Sequence, residues 1–177
     1  MIAAASDSVV HALALLGTPS LPGREIARAQ RELIASGNST LYPPALKDEA
    51  LKNAEAAAEY QAQNDPWLRE WFALEPMEYA AKQRGRALIV HGERDMQVPV
   101  LQADELSEGL KAAGVQVTEV KIPGMNHLFL SDTDGHPDHY VLLHTRTLDT
   151  RAALVLRSWL RESAPSGTSS KTADGSR

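Results

Sequence analysis

Apolar residues in this chain fall into two kinds of run, short unbroken ones and longer ones spaced three or four apart, and together they predict alternating strands and helices. Residues 9–16 (VVHALALL) form an unbroken stretch closed by Gly17-Thr18-Pro19. That favours a buried strand, although periodicity alone does not separate it from a short helix. Residues 22–36 place Ile26, Ala29, Leu33 and Ile34 at helical spacing, with Gly37-Asn38 as a stop. Residues 43–60 are rich in Ala, Glu and Lys, strong helix formers, and Asp65-Pro66 opens a second short helix carrying Trp67, Leu68, Trp71 and Phe72. Residues 87–90, inside RALIVHG, and the alternating residues 115–122 (VQVTEVKI) are two further strands. Between them residues 100–113 fit a crossover helix ended by Gly114, so these strands belong to one βαβ unit and pair in parallel. Residues 147–161 close the pattern as an amphipathic helix offering Leu154, Val155, Trp159 and Leu160 to a core.

The fold class expected is α/β: a partial three-layer αβα sandwich with about three parallel strands. A helical cap insertion at about residues 38–80 separates the first strand from the second, all within one domain over residues 1–162. Residues 163–177 (SAPSGTSSKTADGSR) are small and polar and bury too little to offset ordering entropy, so a disordered tail is expected. The 177 residues are 43% hydrophobic and 23% charged, the balance of a globular chain. A net charge of -5, with Lys and Arg interspersed among acids, argues against a nucleic-acid surface, so no nucleic acid partner is expected. The absence of cysteine excludes disulfides, thiolate nucleophiles and Cys-ligated zinc. No run approaches the roughly 18 apolar residues of a membrane helix, and the start lacks the basic region of a signal peptide. A cytoplasmic protein with no membrane partner is the expectation.

Candidate chemistry lies at two strand ends. In residues 88–99 (LIVHGERDMQVP) the strand ends at Gly92 and sets Asp95 in the loop beyond its carboxyl end, where open α/β sheets build their sites. The next strand runs into PGMNHLF and delivers His127 to the same rim, one βαβ unit away. Each residue alone is ordinary turn chemistry. Together they match a need: a histidine acting as general base requires a carboxylate to fix its tautomer and stabilise the imidazolium. Over residues 132–144 three histidines (His136, His139, His144) and three aspartates lack the helical HExxH spacing of a metal site, so a solvated loop and no metal are expected. His11 and His91 lie on apolar strands as core or sheet-end residues.

GERDMQVP followed by an alternating strand and PGMNHLF resembles the acid loop and histidine loop of α/β-hydrolase-fold serine hydrolases. ALLGTPSLPGREIARAQ resembles the strand and segment after the nucleophile, and HLFLSDTDGHPDHY with VLRSWL resembles the histidine loop and last helix of bacterial esterase-like members. The resemblance covers residues 8–161 and implies the C-terminal, truncated part of such an enzyme. It implies hydrolysis of a small-molecule carboxylic ester or related acyl compound without a cofactor: a serine attacks, His127 takes and returns the proton, and Asp95 orients His127. By the same resemblance Trp67, Trp71 and Phe72 of the cap, and Met125, are candidate substrate-binding residues, with core packing and a turn filler as the plain alternatives.

One part of the family pattern is missing. No serine sits in a Gly-x-Ser-x-Gly turn between strand and helix. Ser39 follows a helix, Ser107 falls within one and Ser169 lies in the tail. Ser20, in GTPSLPG, alone follows a strand and precedes a helix, which makes it the substitute nucleophile to examine. The early sheet that supplies an oxyanion-hole amide is missing too. The alternative is a non-catalytic remnant or assembly module, a homodimer that pairs through the exposed strand at residues 9–16.

Overall fold

In a computed structural model, residues 1–7, 9–36, 47–144 and 147–163 are described. Ser39, Ser169, the start of the expected cap and all but the first residue of the expected tail lie outside them. The strands are β1 (Ala12–Leu16), β2 (Arg86–Gly92) and β3 (Gln116–Ile122), in one parallel sheet of order β1-β2-β3. Leu15 pairs with Ile89, and Ile89 with Glu119. From Ala87 to Gly92 the central strand is buried, which is why residues 87–90 are continuously apolar instead of alternating.

The helices are α1 (Ile2–Ser6), α2 (Gly23–Ser36), α3 (Lys47–Asn64), α4 (Pro66–Phe72), α5 (Pro76–Ala80), α6 (Leu101–Ala112) and α7 (Thr150–Ser163). A 3-10 helix spans Pro137–Leu142. α4 starts as its sequence requires: Asp65 accepts from the amides of Trp67 at 2.9 Å and Leu68 at 3.3 Å, with Pro66 in the first turn. Among the described residues no helix is long and apolar enough to cross a membrane.

The sheet's two faces make the two cores. Leu13, Leu15, Ala87, Ile89 and Val117 meet Ala103, Leu106 and Leu110 of α6 and Ala80 of α5. Ala14, Leu88, Val90, Val120 and Ile122 meet Ala152, Val155, Leu156 and Trp159 of α7. Helices α2, α3 and α4 form a third cluster around Ala27, Ala62 and Phe72, inserted between β1 and β2 in chain order.

Three sequence expectations need correction. β1 begins at Ala12 instead of Val9, because the ladder to β2 starts where Arg86 N donates to His11 O; Val9 precedes it, 77% exposed. On α7, Leu154 and Leu160 are exposed at 55% and 52%. The sheet takes Ala152, Val155, Leu156 and Trp159, an i, i+3, i+4, i+7 stripe that excludes both leucines. On α2, Ala29 and Ile34 face solvent, and the buried side chains include Ile26, Ala27 and Ala35.

Candidate active site

β2 and β3 end side by side, Gly92 opposite Ile122, and the chain leaving each strand stays bonded to its neighbour. Glu93 N donates to Ile122 O at 3.1 Å and Arg94 N to Met125 O at 2.9 Å. Two glycines permit this approach. A β-carbon on Gly92 would overlap the Met125 carbonyl oxygen, and one on Gly135 would overlap the Arg94 carbonyl oxygen. The acid and histidine loops are therefore one packed unit.

Within it Asp95 has 1% of its side chain exposed. Oδ1 accepts from the amides of Gln97 at 3.0 Å and Val98 at 2.8 Å, the self-capping turn that aspartate favours. Oδ2 lies 2.8 Å from Nδ1 of His127, whose side chain is 29% exposed. With the hydrogen on Nδ1 shared with a carboxylate, Nε2 keeps a lone pair, the form in which imidazole abstracts a proton. The structure thus brings Asp95 and His127 together at one rim of the sheet.

Asn126, fully buried, holds the histidine loop. Its Oδ1 accepts from Leu128 N at 3.0 Å and Leu130 N at 3.1 Å, and its Nδ2 donates to Asp132 Oδ2 at 2.9 Å. Burial works to raise the Asp132 carboxyl, but the hydrogen bonds from Asn126 and from the backbone of Asp134 and Gly135 outweigh it and hold the group below the usual carboxylate value. Phe129 in this loop has φ 59°, left-handed backbone that costs a non-glycine residue energy and is kept here by the surrounding bonds. Gly17, at φ 54°, covers the pair from the end of β1: a β-carbon there would stand 3.3 Å from His127 Nδ1 and 3.6 Å from Asp95 Oδ2. Tyr140 lies over the acid loop, its hydroxyl 3.3 Å from Gln97 Nε2, and burial pushes its phenol above the ordinary value.

The other sequence candidates sit apart from this pair. Ser20 is 3% exposed, its hydroxyl donates to Glu105 and its amide donates to Gln102 Oε1 at 3.1 Å. None of the described hydrogen bonds joins it to His127. Phe72 is 4% exposed within the α2–α4 cluster, and Met125, with no exposure, packs under α7. Trp67 is 69% exposed and stacks on Trp71, ring centres 6.1 Å apart. Among the described residues no group of three or more His, Asp or Glu is arranged to hold a metal. His139 instead pairs with Asp134 at 2.8 Å. A cavity of about 520 Å³ lies among residues 124–144, lined by Asp132, Asp134, His139 and His144 and by neither member of the Asp95–His127 pair.

Sequence reasoning missed Gly17, Gly92, Gly135 and Asn126. Only Asn126 carried a local signal, standing next to His127 in a turn sequence; the glycines act through partners distant in sequence.

A model of the prolyl oligopeptidase family matches residues 46–143, more than half of the chain. The chain is 44% identical over 62 residues to a protein of Bacillus subtilis (strain 168) named uncharacterized peptidase YuxL, a stretch that covers 35% of this chain and 9% of that protein. Similar solved structures include an esterase of Pyrococcus furiosus, at 15% identity and TM-score 0.40 over 69% of this chain and 39% of that one. Another is the acylaminoacyl peptidase of Pyrococcus horikoshii, at 15% identity and TM-score 0.45 over 86% of this chain and 24% of that one. The chain thus spans well under half the length of the relatives it matches.

Proposed function

Because this chain belongs to the prolyl oligopeptidase family, a family of α/β hydrolases, we propose that Asp95 and His127 are the acid and base of a serine hydrolase site that cleaves acyl compounds. The observation that carries this is the 2.8 Å contact between Asp95 Oδ2 and His127 Nδ1, which directs the ring hydrogen to Nδ1 and leaves the lone pair on Nε2. His127 Nε2 takes the proton of an attacking serine hydroxyl and returns it to the leaving group, while the Asp95 carboxylate fixes the tautomer and stabilises the imidazolium. The substrates are short peptides and small-molecule carboxylic esters, both of which present a carbonyl to the same attack, and no cofactor takes part.

The serine comes from a Gly-x-Ser-x-Gly turn outside these 177 residues, together with its oxyanion amide. Ser20 is not assigned this role, since its hydroxyl is held by Glu105.

Labelling with a fluorophosphonate, followed by peptide mapping, tests the proposal, and the DNA upstream is read for a Gly-x-Ser-x-Gly frame. When such a segment and this chain are expressed together, the label is expected on the elbow serine. His127→Gln should lower turnover of a short-chain aryl ester by on the order of 10³-fold or more. Labelling of Ser20 would overturn the assignment of the nucleophile, and turnover indifferent to His127→Gln would overturn the proposal.

The position of β1 favours a second reading, assembly without catalysis. Among the described strands β1 pairs with β2 alone, and Leu16 at its end is 44% exposed. A homodimer through β1 would satisfy the open backbone edge. Light scattering should then give twice the chain mass; a monomer mass at every concentration removes this reading.

A further inference from the structure

Asp95 Oδ2 faces two imidazoles. His127 Nδ1 approaches at 2.8 Å from a partly exposed side chain, and His91 Nε2 approaches at 3.4 Å from a side chain with no exposure. His91 is the next-to-last residue of β2, below the acid loop. Its Nε2 also lies 2.8 Å from Val98 O, and the Val98 amide donates to Asp95 Oδ1 at 2.8 Å.

These contacts fix the tautomer. A carbonyl oxygen and a carboxylate oxygen both require a donor, so the ring hydrogen sits on Nε2. His91 Nδ1 is buried without a hydrogen-bond partner.

We propose that His91 is a positioning residue for the Asp95–His127 pair. Its Nε2–H donates to Val98 O and stands 3.4 Å from Asp95 Oδ2, so that Val98 through its amide and His91 through its ring flank the two carboxylate oxygens. The aspartate χ2 torsion is intrinsically broad and two-fold. The two amides on Oδ1 and the imidazole beside Oδ2 remove that freedom and keep Oδ2 turned toward His127. An aliphatic residue would suit the apolar run of β2 equally well, yet would leave the buried Val98 carbonyl without this donor and Oδ2 with His127 alone. The inference rests on the reading of Asp95 and His127 as acid and base.

Imidazole ¹⁵N and low-field ¹H NMR of the full chain test it. In the unmodified chain His91 should be the Nε2–H tautomer with Nδ1 bare; an Nδ1–H tautomer overturns the proposal with no variant needed. His91→Leu should accelerate exchange of the His127 Nδ1–H with solvent by about tenfold, because a looser carboxylate releases it more often. His91→Gln, which restores an N–H donor, should recover most of the difference. Equal exchange in His91→Leu and unmodified chain overturns the role. Asp95→Asn separates the two levels: if it leaves the His127 signal unchanged the pair itself is wrong, whereas a changed signal with an inert His91→Leu removes only His91.

Discussion

Gly92 carries a hydrogen where any other residue carries a β-carbon, and that carbon would overlap the Met125 carbonyl oxygen that Arg94 binds. Gly92→Ala should therefore push the acid and histidine loops apart, costing about 1–3 kcal/mol of stability, read as a lower urea midpoint. Gly114→Ala is the control: nothing lies within 4 Å of its β-carbon, so only the strain of φ 83° applies. Since Gly92 has no positive φ, an unchanged midpoint in Gly92→Ala would mean that loop contact contributes nothing. Asp149, just before α7, gives a pH signature. Arg151, through its side chain and amide, and the Ser131 hydroxyl hold this carboxyl well below the ordinary carboxylate range. A depressed folded value stabilises the native state above the unfolded carboxylate value of about 4 and loses that effect as pH falls below it. Asp149→Asn should thus lower the urea midpoint at pH 7, with the gap to the unmodified chain narrowing toward pH 2; a gap independent of pH would contradict this. His91 and Asn126 show what a sequence withholds at this scale. Their neighbours were legible as strand and turn, but Val98, Asp95 and Asp132 as partners exist only once the loops fold together.

The βαβ unit of β2, α6 and β3 was legible because each of its parts carries an independent signal. β2 is continuously apolar over residues 87–90, α6 ends at Gly114 and β3 alternates. Leu106 and Leu110 of α6 have no exposure and fill the space between α5 and the sheet. Leu106→Ala should cost about 2–5 kcal/mol. At roughly 2–4 °C of thermal midpoint for each kcal/mol in a chain of this size, the loss is readily measured by calorimetry. A change within error would mean that α6 does not pack as described. α1, α5 and the 3-10 helix escaped notice for a physical reason: each is five or six residues long, too short for a helical period to declare itself. β1 was read three residues too long, since an apolar run tells where a strand can form and the partner's length decides where it does.

At the scale of the molecule, the sheet does more than supply a core. Three parallel strands end at one rim, and that rim carries Gly17 from β1, Asp95 after β2 and His127 after β3 within contact of one another. The succession of two parallel strands predicted that Asp95 and His127 would meet; the glycine that covers them comes from β1, on the other side of β2. The substrate side was less legible. Trp67, Trp71 and Phe72 form a helical cluster whose aromatic content fits a lid and a small core equally well by sequence, and Phe72 proves to be buried in that cluster. The claim on which the rest depends is that His127 donates Nδ1–H to Asp95 and keeps Nε2 bare. The most direct measurement is the ¹⁵N NMR tautomer of His127 at neutral pH, with and without Asp95→Asn. The expected result is an Nδ1–H imidazole whose proton resonates at low field and loses that position in the variant; an Nε2–H imidazole, or a signal that ignores Asp95→Asn, would contradict the account.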